Sequence, residues 1–364
     1  MRIKTIGFIG LGLIGGSLAK TIRRVYPEMT LIGYNRSKAS LVAAMEDGTL
    51  NQALDAIGEP FRTCDLIFLC APVEVNIACM ERLKGILRED CLVSDVGSVK
   101  SGIHAAAVRL GLDGQFIGGH PMAGSERYGY QNAADRLLEH AWFVLTPEAK
   151  TPEWMLAEYR ELVEAIGSLP VVMEPAEHDR VTAAISHLPH VIAYALVNQV
   201  KRTDSPEGMM RRLAAGGFKD ITRIASSSPD MWEQICSENR EALADALALY
   251  RASLAQMEEA VRSGDADFLR REFNEARLYR DSLPKVSWSN LPRSCVLSVD
   301  LDDEPGAVAV VLTVLGAARI NVQNLELLYN RESQDGVLKI YLQDEEAVSK
   351  ARELLERRNY RVYS

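Results

Sequence analysis

His120 sits in the run Gly118–Glu126, GGHPMAGSE, and is one of only six histidines in 364 residues. Histidine is the side chain whose charge changes near neutral pH. Its setting between two glycines and a proline, six residues before the carboxylate of Glu126, therefore raises the question of acid–base chemistry. A lone loop histidine is more often solvated or packed than catalytic, so its surroundings must decide. Three other stretches carry reactive types: GSVK with Ser98, SHLPH with His187 and His190, and GGFKDITRIASSSPDMW with Arg223. On spacing alone, two histidines near a Pro-kinked helix read as packed and hydrogen-bonded.

The elements that position these residues are legible from Ile3 onward. Ile3–Ile9 reads as a short buried strand, and GLGLIGGS follows at once, placing Gly10, Gly12 and Gly15 in a G-x-G-x-x-G pattern. Gly10 permits the tight turn, Gly12 lets backbone approach a pyrophosphate, and Gly15 allows close helix–strand packing. Leu13 and Ile14 open the following helix, whose free N–H groups favour phosphates. A second strand, Thr30–Tyr34, ends where an acidic residue would accept from a ribose 2′-hydroxyl. Asn35, Arg36 and Ser37 stand there instead, which leaves NAD versus NADP open. Asp65–Cys70, ending in Ala71 and Pro72, and Cys91–Val96, ending in Gly97 and Ser98, are near-continuous apolar strands. Phe116-Ile117 runs into the His120 motif. Such strands imply a parallel sheet covered on both faces, which binds ligands along its carboxyl edge. The expectation is a Rossmann-type, doubly wound α/β domain with His120 on the cofactor edge. In this reading Gly118 and Gly119 let a loop approach the cofactor, with Pro121 stiffening it.

Strand patterns stop after Ala141–Leu145 and Val171–Met173. From Glu174 to about Leu283 the chain reads as helix after helix, and Ala183–Val197 and Arg240–Ala260 carry enough apolar surface to need a second subunit. Beyond a loop at Lys285–Pro292 the order is βαββαβ, a ferredoxin-like arrangement without a catalytic cluster. The expected divisions are 1–173, dinucleotide-binding; 174–290, all-α substrate and dimerisation; and 293–364, a regulatory module.

The totals narrow the classes. Apolar residues at 47% and charged residues at 25% fit a soluble globular protein with real cores. A net charge of −9 with no basic block argues against nucleic-acid and anionic-membrane partners. The N-terminal apolar run is too short and Gly-broken for a signal or a membrane span. Six cysteines without CxxC or metal spacing point to free thiols in a reducing cytoplasm and to no metal site.

Taken together, GLGLIGGS, DVGSVK, GGHPMAGSE, SHLPH and GGFKDITRIA resemble, in order and separation, the prephenate dehydrogenase family in its form with a C-terminal ACT domain. No chorismate-mutase segment precedes the first strand, so the similarity is to the monofunctional form. The resemblance implies oxidative decarboxylation of prephenate to 4-hydroxyphenylpyruvate, with NAD as the family's usual cofactor and NADP left open by Asn35 and Arg36. It implies His120 as the base on the ring hydroxyl, with Ser98 orienting the imidazole, the substrate hydroxyl or the nicotinamide. Arg223 would hold a substrate carboxylate, His187 would bind substrate, and Glu126 would shape the pocket; His190 stays structural. The cofactor set is Gly10, Gly12, Leu13, Ile14, Gly15, Asn35, Arg36, Ser37, Ala71, Pro72 and Gly97. Pro305, Gly306, Ala307, Asn321 and Val322 resemble the amino-acid-binding edge of an ACT domain, which implies tyrosine as inhibitor. The rivals are arogenate dehydrogenase, a β-hydroxyacid or pyrroline-carboxylate type reductase, and a dinucleotide-sensing regulator without turnover.

Overall fold

The computed structural model describes residues 2–124, 127–283, 295–302, 304–329 and 335–363. It divides into two compact units, Met1–Ala266 and Asp267–Ser364. Glu126 and the junction at 284–294 lie outside the described residues.

The first unit opens with β1 (Thr5–Ile9), α1 (Leu13–Val25), β2 (Thr30–Tyr34), α2 (Lys38–Glu46), β3 (Gln52–Leu54), β4 (Leu66–Leu69), α3 (Val73–Leu83) and β5 (Leu92–Asp95). The five strands pair in parallel in the order β3-β2-β1-β4-β5. The winding reverses between β1 and β4, the place where such sheets open a ligand crevice. β4 shows why the strands are apolar throughout. Leu66 and Phe68 enter one core and Ile67 and Leu69 the other, all fully buried.

Then follow α4 (Ser101–Leu110), β6 (Ile117–Pro121), β7 (Trp142–Pro147), α5 (Glu153–Ala165) and β8 (Leu169–Val172). A single parallel bridge, Val93 to Phe116, joins β5 to the approach of β6. β7 runs antiparallel to β6, so the sheet is not parallel throughout. The physical reason is the connection: the described residues of 122–141 hold turns and a short 3₁₀ segment and no crossover helix, so the chain returns antiparallel. β6 also extends through Pro121, pairing His120 with Val144. The histidine is therefore on a strand, not in a loop. A side chain at Gly119 would strike Tyr159 Oη at 2.6 Å, and one at Gly118 would meet His104 Nε2 at 2.7 Å. These two glycines serve strand packing, which corrects the expectation of a loop reaching towards the cofactor.

The helical part begins with α6 (Pro175–Thr182), a π-helical turn (Ala183–His187) and α7 (Leu188–Thr203), one continuous 29-residue rod. Pro189 has no N–H for the Ile185 carbonyl, and the helix widens just before it. The rod is long and apolar enough to cross a membrane by length and composition, yet it carries the buried polar residues His178, Asp179 and His187. α8 (Met209–Leu213), α9 (Gly216–Thr222), α10 (Pro229–Glu238) and α11 (Arg240–Ser263) complete this unit, and α12 (Ala266–Ser282) spans the division point.

The second unit contains β9 (Val296–Asp302), α13 (Ala307–Ala317), β10 (Val322–Tyr329), β11 (Asp335–Leu342), α14 (Glu345–Glu356) and β12 (Val362–Tyr363). Its sheet has the order β10-β11-β9-β12 with every pair antiparallel, the ferredoxin-like βαββαβ topology. Leu297, Val299, Val311, Leu315, Ile340 and Leu355 form its core.

Candidate active site

At the end of β1 the chain turns sharply on Gly10, whose φ of 104° is left-handed backbone and whose N–H donates to Tyr34 O at 2.9 Å. A side chain there would meet Cys70 C at 2.8 Å, and one at Gly15 would meet Cys70 Cβ at 2.7 Å. Both glycines therefore press α1 and its turn onto the tail of β4. A Cβ at Gly12, by contrast, would meet nothing within 4 Å. α1 follows with no acidic residue in its first turn and no side-chain cap, so the N–H groups at its start are open. An exposed backbone turn with a positive helix end fits a pyrophosphate. Asn35 Oδ1 accepts the Leu11 N–H at 3.0 Å and ties the end of β2 to this turn. Ala71 and Pro72 leave β4 on the same edge, Ala71 N–H donating to Asn76 Oδ1 at 3.0 Å, and Gly97 leaves β5.

A histidine relay lies beside this edge. His120 Nδ1 is 2.8 Å from His178 Nε2, and His178 Nδ1 is 2.8 Å from Asp179 Oδ1. Asp179 also accepts the backbone N–H groups of Lys100 at 2.7 Å and Ser101 at 2.8 Å. Burial pushes the Asp179 carboxyl up, but its hydrogen bonds from His178, Ser101 and Lys100 outweigh that and hold it below the usual range. An ionised Asp179 takes the proton-bearing Nδ1 of His178, so His178 Nε2 accepts from His120 Nδ1–H. The Nε2 of His120 is thereby left with its lone pair. Burial, and then the nearby His178, Lys100 and His187, hold His120 well below the ordinary histidine value despite Asp179. Near pH 7 it is a neutral base. Beneath it, Asp95 and Lys100 form a fully buried ion pair, and Asp95 accepts from Gly97 N at 2.8 Å and Gly119 N at 3.3 Å.

His187 joins the group from the π turn. An α-helix advances about 100° per residue, so nine residues would set His187 about 180° from His178; the wide turn absorbs one residue and swings it back to about 80°. His187 is 1% exposed and accepts from Asn239 Nδ2 at 3.0 Å through Nδ1, which leaves Nε2–H as a donor. Burial lowers it to about 4, so it is uncharged. His190 stacks on Trp232 at 3.6 Å and is bonded to Ser186 O at 3.0 Å, a packed role. The buried Trp232 indole N–H has no partner among the described residues.

The other expected residues fall less neatly. Ser98 is half-buried beside Gly97 but forms no hydrogen bond to His120, whose Nδ1 is taken by His178. Arg223 is exposed at the end of α9, with its charge felt at His190. Arg36 and Ser37 are exposed. In the second unit, Pro305, Gly306 and Ala307 stand at the start of α13, whereas Asn321 and Val322 follow its other end, about 16 Å along at the usual helical rise. Sequence reasoning missed His178, Asp179, Asn239, Lys100 and Asp95. The available signal was a His-Asp pair in the helix that leads directly into SHLPH. Glu238 was also missed. It is half-buried, and burial, then the charge of Glu74, pushes it up to about 7 despite Lys100.

A switch-point crevice with an open glycine turn and a neutral base beside it defines a nicotinamide-dinucleotide oxidoreductase. Comparison with known proteins gives the family. The model for the prephenate dehydrogenase nucleotide-binding domain matches residues 18–172, and that for the prephenate dehydrogenase dimerization domain matches residues 174–275. A prephenate dehydrogenase of Bacillus subtilis is 36% identical over 97% of this chain and 96% of its own. The structure of an A. aeolicus prephenate dehydrogenase with hydroxyphenyl propionate and NAD+ superposes with a TM-score of 0.74 at 33% identity, covering 78% of this chain and 99% of that one. A Synechocystis arogenate dehydrogenase structure gives 0.70 at 33% identity, covering 76% and 99%. The chain belongs to the prephenate dehydrogenase family.

Proposed function

We propose that the chain catalyses oxidative decarboxylation of prephenate to 4-hydroxyphenylpyruvate and CO₂ with NAD+ as oxidant, as a homodimer. The observation that carries this reading is the Asp179–His178–His120 relay at the dinucleotide edge. When bound, the nicotinamide accepts a hydride from the ring carbon that bears the hydroxyl. His120 Nε2 takes the hydroxyl proton as carbonyl character develops, and His178 and Asp179 hold the imidazole in the required tautomer. Loss of the ring carboxylate as CO₂ aromatises the ring, and the proton returns to the phenol oxygen. His187 Nε2–H and the Arg223 guanidinium bind the substrate's polar groups, Arg223 taking a carboxylate. Ser98 orients the substrate hydroxyl or the nicotinamide, and Glu126 shapes the pocket. The Rossmann-type part is assigned to 1–173, the helical part to 174–290 and the regulatory part to 293–364.

The dimer is supported by the family model for the helical region and by exposed apolar residues on its helices, Ile185 at 63%, Leu249 at 72% and Val261 at 66%. A cytoplasmic setting is consistent with six free thiols. The βαββαβ module is assigned as an ACT domain that binds tyrosine and inhibits turnover.

An assay of prephenate and arogenate in parallel tests the substrate. Efficient turnover of arogenate alone would replace this reading with the arogenate one. A chain ending near residue 291 tests the module: retained activity with lost tyrosine sensitivity is expected. Tyrosine inhibition that persists, competitive with prephenate, would assign it to the catalytic pocket.

A further inference from the structure

We propose that Asn239 is a positioning residue for the reaction: its amide fixes His187 as a neutral imidazole with the hydrogen on Nε2, the form that donates to substrate. The inference rests on the substrate-binding reading of His187 and names what sets that residue's proton. Asn239 stands at the junction of α10 and α11, in the capping position just before the first turn of α11. An asparagine there ordinarily spends its side chain on the free N–H groups of the helix it opens. This one makes no cap bond and is 4% exposed. Its Nδ2 reaches instead to the backbone O of Asp179 at 2.8 Å and to His187 Nδ1 at 3.0 Å.

The proton positions follow by elimination. A backbone carbonyl only accepts, so the nitrogen end of the amide must face Asp179 O. One of its two hydrogens goes there and the other to His187, whose Nδ1 therefore carries a lone pair. A hydrogen on that Nδ1 would meet a donor, which disfavours both the Nδ1–H tautomer and the imidazolium. Burial, opposed by Asp179 and helped by His178 and His190, lowers His187 to about 4. Burial favours a neutral ring but cannot choose between its two tautomers, and the amide makes that choice. Asp179 thereby orders two histidines at once. Its carboxylate acts through His178 on His120, and its carbonyl acts through Asn239 on His187. The results are opposite: a lone pair at Nε2 of His120 and a hydrogen at Nε2 of His187. One ring takes the proton of the reaction, the other only donates, and the two do not compete for it.

Nitrogen-15 NMR of the full-length protein with labelled histidine tests the proton position without turnover, the His187 signals being assigned by their loss in His187→Asn. Wild-type His187 is expected in the Nε2–H form near neutral pH, and an Nδ1–H or imidazolium signal there overturns the proposal. Asn239→Asp puts an acceptor against Nδ1, so His187 should turn to the Nδ1–H form and titrate about one pH unit or more higher. Asn239→Ala, which removes the donor without adding charge, should leave a mixture of both tautomers; a pure Nε2–H form in that variant overturns the proposal. Kinetics carries a matching signature, because an imidazolium again donates through Nε2 whereas a neutral Nδ1–H ring does not. The KM of Asn239→Asp for prephenate, relative to wild type at the same pH, should rise about tenfold as pH increases through that titration. Its kcat should stay within about threefold. In a His187→Asn background, Asn239→Asp should move KM by less than about twofold. A KM effect independent of pH, or one that persists undiminished without His187, makes Asn239 structural only and overturns the proposal. A wild type that does not turn over prephenate overturns the substrate reading, and the NMR result then judges the tautomer by itself.

Discussion

The glycine edge and the histidine relay face opposite electrostatic demands within one unit. At the turn after β1 the groups offered to a ligand are backbone N–H groups, and no side chain takes part. Such groups keep their partial charge at any pH and need only be uncovered. The relay presents one nitrogen lone pair, on His120, and everything around it keeps that nitrogen neutral and aimed. Burial, a neighbouring histidine and a buried lysine hold the proton off, while Asp179 fixes the tautomer two residues away. A binding edge made of backbone is therefore robust to pH and sensitive to added atoms. A base made of buried side chains is sensitive to pH and to its supporting partners.

Removing the base gives the largest expected effect. His120→Asn should lower kcat by about two to four orders of magnitude with dinucleotide affinity unchanged, the range for losing a general base. Near-normal turnover would remove His120 from the chemistry. The wild-type rate profile should stay flat as pH falls from 8 through 6.5, because the buried His120 imidazole is held well below its ordinary value of 6.5.

The glycines separate packing from ligand access. Gly12→Ala points into open space and should leave the melting temperature unchanged while weakening NAD+ by about tenfold or more, the cost of holding a pyrophosphate off the turn. Gly15→Ala meets Cys70 and should lower the melting temperature, with a cost of about 1–3 kcal/mol typical of overpacking. Equal thermal effects of the two would contradict the division of labour.

His178 sharpens the same comparison from the other side. His178→Leu should lower kcat about ten- to a hundredfold, within the range of a mispositioned base, with little change in KM. His178→Gln, which still offers an acceptor to His120 Nδ1, should recover part of the loss. A change in KM alone would make His178 a binding residue.

The smallest effect is electrostatic. Glu238 in the fold is raised from 4.5 to about 7, so between those values the native state holds a proton that the unfolded state releases. Its contribution to stability is therefore lost as pH rises from 4.5 to 7. Glu238→Gln should melt higher than the wild type at pH 8, by roughly 1 kcal/mol after discounting for its half-exposure, and the gap should close towards pH 5. His187 runs the other way. With a folded value of about 4 against 6.5, it makes the native state less stable as pH falls below 6.5. A melting curve for His187→Asn that loses this acid sensitivity would isolate its share.

Much of the molecule was legible in the amino-acid order because its determinants are local. The strand, glycine turn and helix at Ile3–Arg24 follow from residues within one βα unit, and continuous apolar runs such as Leu66–Leu69 declare burial on both faces. The βαββαβ order of the second unit rests likewise on short-range periodicity. Tertiary structure decided what depends on distant contacts. His120 went into a strand because β7 returned beside it, and its glycines proved to be packing residues for Tyr159 and His104. His178 became its partner from 58 residues away, and a π turn set before Pro189 carried His187 onto the same side. Composition and spacing register neither event, since a hydrogen bond between two elements depends on how they pack and leaves no period in either one.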